Sequence, residues 1–288
     1  MQANKVIFKG RFDFGSKEVV LRIVKQLEPR IINLYKEDFP WKIEDLFPED
    51  AEHVIFKPIS LQVMDRTWKH GLDALNWLAQ FALCGEVLAI RLGAHRVTER
   101  IVPVSDKAAV LLYRHAMEDT DLVGRADLLD QVIAKYPVHV EALMARADLA
   151  IDREDLVSAL TDLNLIQDRD PENPAFWHRI SRCNFLQGEW DQALTDIENA
   201  IAFSMPLEDI HWQSRMLKAR ILKSMEQFEQ ALHQWNLLET KLEKTPELLP
   251  GLLQEVRKYQ KACLARLEGE ESPDALSFSP ERGENIAV

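Results

Sequence analysis

The segment VEALMARADLAIDREDLVSALTDLNLIQDRDPEN (140–173) recurs in outline as PAFWHRISRCNFLQGEWDQALTDIENAIAFSMPL (174–207). Ala159 falls on Ala193 at a spacing of 34 residues, and SALTDL aligns with QALTDI. A recurrence of this length constrains the fold more than any other feature of the chain. A unit so short holds about two helices and cannot bury its own apolar face, so the units must stack on one another.

The same register extends in both directions. DKAAVLLYRHAMEDTDLVGRADLLDQVIAKYPVH (106–139) places Pro137 at column 32, with Tyr113 and Arg125 at columns 8 and 20. WQSRMLKARILKSMEQFEQALHQWNLLETKLEKT (212–245) supplies Ala219, Phe228 and Ala231, the last lying 38 residues after Ala193. The four extra residues, Glu208 to His211, equal about one helical turn and lengthen a helix without rotating its face. In the 174–207 unit the key columns hold Trp177, Ser181, Gly188, Trp190, Ala193 and Ala200, with Pro206 one place late. In the 140–173 unit they hold Leu143, Ala147, Leu156, Ala159 and Pro171, with Ile166 at column 27. This pattern of small, large and aromatic columns resembles the tetratricopeptide repeat. The resemblance implies an all-α solenoid of stacked helix hairpins over residues 105–269, with units near 106–139, 140–173, 174–207 and 212–245. Leu249, Leu252, Leu253, Val256, Tyr259, Cys263 and Leu267 form one apolar stripe, which predicts a capping helix over 246–269. Residues 270–288 are polar and aperiodic, and are expected to be a flexible tail.

Residues 1–104 carry a different signal. Val6, Phe8, Phe12 and Phe14 alternate with Ile7, Lys9, Arg11 and Asp13, as in a half-buried strand. Ser16 then caps a helix carrying Val20, Val24, Leu27, Ile31 and Leu34. A polar-aromatic connection containing Trp41 follows, and the favoured reading folds Trp41 back onto the sheet. A second alternating run at 54–64 puts Ile59, Leu61 and Val63 on one face, with Pro58 marking an edge or a bulge. A helix with Trp68, Leu72, Leu75, Ala79 and Ala82 precedes two strands, 86–92 and 97–104, joined as a hairpin. The expected domain is a small α+β fold of order β-α-β-α-β-β.

Charge and motifs narrow the function. The chain has 35 Lys and Arg against 47 Asp and Glu, a net charge of −12. Residues 1–103 carry 15 and 14 of these, leaving 20 and 33, or about −13, for the remainder. Neither nucleic acid nor an anionic membrane is an expected partner. Leu72 to Leu92, the most apolar stretch, is broken by Asp73, Asn76, Gln80, Glu86 and Arg91, and the first thirty residues hold no secretory apolar run. Cys84, Cys183 and Cys263 are unpaired in pattern, which fits a reducing cytoplasm. The eight histidines form no ligand-spaced motif, no glycine-rich phosphate loop occurs, and Asp168-Arg169-Asp170 reads as an inter-repeat turn. No catalytic, cofactor or metal residue is therefore assigned, and Cys84 reads as a small buried hydrophobe. Trp177 and Trp190 read as inter-helix packing.

In tetratricopeptide arrays the first helix of each unit lines the concave wall, through columns 2, 5, 6, 9, 12 and 13. Carried onto this sequence, those columns hold Lys107 and Arg114; Glu141, Asp148 and Asp152; His178, Arg179 and Arg182; and Arg220 and Lys223. A basic cluster within an acidic module attracts an anionic segment. The competing reading pairs these charges with neighbouring carboxylates on a solvated surface. The family's carboxylate clamp is not reproduced, since column 9 holds Arg114, Asp148, Arg182 and Arg220. The expected function is a scaffold or adaptor holding an acidic or extended segment of a partner protein. The alternative is a small-molecule-binding or catalytic N-terminal domain with the repeats as a regulatory arm, and a structural subunit is a third reading.

Overall fold

The computed structural model describes residues 3–47, 51–93, 95–245 and 252–268, and the chain divides into two compact units, Met1–Ala145 and Arg146–Val288. The alternating N-terminal run forms strand β1 (Asn4–Asp13). Helix α1 (Lys17–Arg30) follows, and the Ser16 hydroxyl accepts the Val19 amide at its start. Pro29 removes an amide donor from the last turn, and the ladder widens into a π turn at Ile31–Tyr35. After the short helix α2 (Ile43–Leu46) come β2 (His53–Val63), α3 (Asp65–Ala79), β3 (Cys84–Leu92) and β4 (Arg96–Ile101). The expected β-α-β-α-β-β order is present, as one antiparallel sheet in the order β2-β1-β3-β4.

One face of the sheet carries the core. Val6, Phe8, Phe12, Val54, Phe56, Val87 and Ala89 cluster with Val20, Ile23 and Leu27 of α1 and with Trp68, Leu75 and Leu78 of α3. Trp41 folds onto the same core, its ring 4.8 Å from Phe8 and 5.0 Å from Phe56. The β1–β2 register slips between Phe8↔Ile59 and Gly10↔Phe56, so Pro58 sits at a bulge on an edge strand. Ile59 lies opposite Phe8 on the same face as Leu61 and Val63, as expected; Leu61 and Val63 pack against the core, whereas Ile59 on this edge strand is 61% exposed.

The second face differs from the sequence expectation. Ile7, Arg11 and Asp13, read as solvent-facing, are buried. Arg11 Nη2 lies 3.1 Å from Asp13 Oδ2, and the Tyr136 hydroxyl donates to Asp13 Oδ1 at 2.6 Å. The buried charges are thus paired and hydrogen-bonded, the condition under which burial is tolerated. Tyr136 follows helix α5 (Leu122–Lys135), which pairs with α4 (Ala108–Glu118). The Ser105 hydroxyl donates to the Ala82 carbonyl and Lys107 Nζ to the Phe81 carbonyl, so the first helix pair belongs to the same unit as the sheet.

Helix α6 (Val140–Asp152) continues into the second unit. There α7 (Leu156–Gln167), α8 (Pro174–Leu186), α9 (Trp190–Phe203), α10 (Asp209–Ser224) and α11 (Phe228–Lys244) complete tetratricopeptide-like helix-turn-helix repeats, and α12 (Leu252–Leu267) covers the end. The extra residues before the last hairpin extend α10, which has 16 residues where α8 has 13. Ala159, Ala193 and Ala231 are fully buried, as are Ala147, Ser181 and Ala219 at column 8. Trp235 stacks on Tyr259 of α12 at 4.9 Å, and Leu252, Val256 and Cys263 complete that apolar cluster. Leu249 and residues 270–288 lie outside the described residues.

Two polar devices recur with the repeat. At column 23, buried Asp162, Asp196 and Gln234 accept from Arg146, Asn184 and Arg215 respectively, tying the second helix of each hairpin to the first. At each tight turn, one residue adopts positive φ: Glu154 (63°), Gly188 (81°) and Glu226 (58°). The next amide bonds back to the first helix, Asp155 to Ala150, Glu189 to Asn184 and Gln227 to Leu222. Only one of the three positions is glycine, the residue that meets no steric penalty there.

Two stability effects follow. Glu226→Gly raises the stability of the chain by about 0.5–1 kcal/mol while Gly188→Ala lowers it by about 1 kcal/mol, as read by urea denaturation. Ala193→Leu, with no free volume at its column, lowers stability by about 1–3 kcal/mol in the same measurement.

Candidate functional site

The wall formed by the first helices of the second unit is held by charge pairs between consecutive helices. Arg179 donates from Nε and Nη2 to the two carboxylate oxygens of Asp148, at 2.9 and 2.6 Å. Arg182 Nη2 donates to Asp152 Oδ1 at 2.8 Å. Each bridge joins α6 to α8, three or four residues apart on each helix, so both lie on one face of each. The forked geometry fixes the Arg179 guanidinium, which also donates to the Ala175 carbonyl. Two of the basic side chains, Arg179 and Arg182, thus already hold carboxylates of their own chain.

His178 is packed between these arginines and α10, with Nδ1 3.1 Å from Ser214 Oγ. Desolvation, then the nearby Arg179 and Arg182 charges, push its pKa down to about 3. It carries no charge at neutral pH. Arg220 and Lys223, one turn apart on α10, are placed differently. Arg220 Nε is buried and has no hydrogen-bond partner among the described residues. Lys223 Nζ lies 5.1 Å from the centre of the Tyr259 ring, so its cation sits over the aromatic face supplied by α12.

Lys107 and Arg114 belong to the first unit. Lys107 is half-buried and donates to the Phe81 carbonyl at 2.5 Å, and desolvation lowers its pKa. Arg114 is exposed on α4. Trp177 donates its indole N–H to the Pro171 carbonyl at 2.7 Å and packs beside the Ala193 cluster. Trp190 is 43% exposed, more open than packing at its column implies.

Sequence reasoning placed the cations but not their partners. Asp148 and Asp152 were visible at columns 9 and 13, but the 34-residue offset superposes Asp148 on Arg182, whereas the bridges join residues 31 and 30 apart, one turn out of that register. Tyr259 carried no such signal, because its approach to Lys223 depends on how the capping helix docks. Among the described residues no helix is long and apolar enough to cross a membrane.

No protein-family model and no curated protein sequence matches the chain. Similar solved structures include a MamA protein (16% identity, covering 57% of this chain and 97% of that one, TM-score 0.41). A second is the TPR2B domain of yeast Sti1 in a complex with pHsp70 (14% identity, 44% and 97% coverage, TM-score 0.39). A third is a putative kinesin light chain from Podosopora anserina with nearly identical TPR-like repeats (17% identity, 57% and 99% coverage, TM-score 0.40). With TM-scores below 0.5 they carry no argument about function, which rests on the side chains of this chain.

The neutral state of His178 has a pH signature. Its folded pKa, about 3, lies below its ordinary 6.5, so the unfolded chain binds more protons between those values. Stability from this residue is complete above pH 6.5 and is lost as pH falls through that window, by up to about 2 kcal/mol at pH 5. Urea denaturation at pH 7, 6 and 5 shows a shallower decline for His178→Gln than for the wild type.

Proposed function

We propose that the chain is a protein-interaction scaffold whose first-helix wall holds an acidic, extended segment of a partner, with α10 as the principal contact. The supporting observation is the contrast within the wall. Arg179 and Arg182 have bound Asp148 and Asp152, whereas Arg220 keeps an unpartnered guanidinium nitrogen beside Lys223 on the Tyr259 ring. An unsatisfied donor such as the buried Arg220 Nε costs free energy, and the half-buried Arg220 side chain with Lys223 leaves cationic charge on α10 that no carboxylate among the described residues pairs. Surface pairs such as Arg182–Asp152 contribute little and exchange readily, so a bound segment can also compete for Arg182. Within the second unit the residues proposed to meet the partner are His178, Arg179, Arg182, Arg220 and Lys223, of which Arg220 and Lys223 carry most of the charge recognition; Lys107 and Arg114 are proposed as contacts of the first unit by itself. Residues 1–104 are proposed as an α+β module, within the first compact unit, that supplies a second contact. No catalytic step is assigned.

The test separates recognition from folding. Arg179→Glu and Arg182→Glu would place like charges against Asp148 and Asp152 and disturb the array itself, so they make poor probes. Arg220→Glu with Lys223→Glu changes groups without an intramolecular carboxylate partner among the described residues. Selection of a displayed random-peptide library on the immobilised full chain enriches Asp- and Glu-rich peptides, and this double variant loses the enrichment with its circular dichroism unchanged. Equal enrichment by both proteins would remove the acidic-segment reading.

A further inference from the structure

The fold brings together three donor groups that the sequence keeps far apart. Cys84 opens strand β3, His139 precedes helix α6, and Glu141 lies in its first turn. The thiol sulfur, an imidazole nitrogen and a carboxylate oxygen of these residues all lie within 4.8 Å of one another. Cys84 and His139 are 2% and 1% exposed, and Glu141 is half-buried. All three belong to the first compact unit.

We propose that Cys84, His139 and Glu141 bind one zinc ion, a site that clips the end of the sheet to the start of α6. Thiolate, imidazole and carboxylate are the ligand types that zinc accepts. Ligands at zinc bond lengths of about 2.0–2.3 Å stand roughly 3.5 Å apart in a tetrahedron, so small side-chain rotations close the present spacing. The local polarity points the same way. His139 Nδ1 accepts the Ala142 amide at 3.3 Å, yet Glu141 Oε2 approaches that same nitrogen to 3.4 Å. Two acceptors face each other there, an arrangement that a cation relieves. Asp13 is not a fourth ligand, because its oxygens already receive Tyr136, Gly15 and Arg11. Three protein ligands leave the fourth position to water.

The state of each group is compatible with this. The one lone pair of the neutral His139 ring, at Nδ1, now accepts the Ala142 amide through a long 3.3 Å bond that the ion would displace. Burial, then the Glu141 and Asp13 charges, push the Cys84 thiol well above its ordinary range. The free thiol is therefore unreactive, and binding is written as Cys84–SH plus Zn2+ giving Cys84–S–Zn with one proton released to solvent. The Tyr113 ring packs 4.9 Å from the His139 ring, and Cys84 and His139 are almost fully buried, so the site is shielded from solvent on the side of these two donors.

The full chain, stripped with chelator, is titrated with Zn2+ and with Co2+ as a spectroscopic substitute. One ion binds per chain, Co2+ gives a thiolate charge-transfer band, and thermal stability rises with Zn2+ but not with Mg2+. Cys84→Ser abolishes the charge-transfer band and weakens Zn2+ binding beyond the roughly 10–100-fold that loss of an outer-shell partner causes. The double variant Cys183→Ser, Cys263→Ser keeps both signals. X-ray absorption of the zinc-loaded wild type, which needs no variant to fold, shows one sulfur among nitrogen and oxygen ligands. Absence of stoichiometric binding, a sulfur-free zinc shell, or a charge-transfer band that survives Cys84→Ser would overturn the proposal.

Discussion

Contact between neighbouring helices at a few methyl-sized side chains sustains the repeat array. Ala159, Ala193 and Ala231 have no exposed surface and bring the second helix of each hairpin against its neighbours, so packing leaves no room for a longer side chain. The remaining features depend on that approach. Only when α6, α8 and α10 stand side by side do Arg179 and Arg182 reach Asp148 and Asp152, and His178 reach Ser214. The polar contact at column 23 then fixes the two helices of each hairpin, so a small volume constraint is converted into a defined wall of charges.

Periodicity made this half of the chain legible before any coordinates. The small columns, the lengthened α10 and the capping stripe are all one-dimensional signals, because each repeat contacts chiefly its neighbours. The N-terminal sheet was readable for a related reason: alternation gave Val6, Phe8 and Phe12 their inward face. That rule assumes one wet face. Arg11 and Asp13 broke it, because Tyr136, more than a hundred residues away, supplies the partner that lets charged residues be buried. Ile59 keeps the face that alternation assigned to it, opposite Phe8, yet on the edge strand it stays 61% exposed.

The functional side chains were less legible than the fold. Columns named Arg179, Arg182, Arg220 and Lys223 together, yet the structure separates a bridged pair from Lys223, which faces an aromatic ring supplied by α12, and from Arg220, whose Nε has no hydrogen-bond partner among the described residues. The Cys84, His139 and Glu141 grouping was invisible to motif reasoning, which looks for ligands at short spacings. Here the segment between two of the donors contains a pair of antiparallel strands and a helix pair.

The irregularity at Pro58 has a consequence for behaviour at high concentration. A sheet whose outermost strand runs straight and apolar offers its free amides and carbonyls to any other extended chain, the first step toward fibrous association. In β2 a proline deletes one of those amides and the extra residue bends the strand away, while the opposite margin, β4, presents Arg96, Glu99 and Arg100 to solvent. Both margins thus discourage lateral growth, and the sheet is kept from recruiting extended segments of other chains.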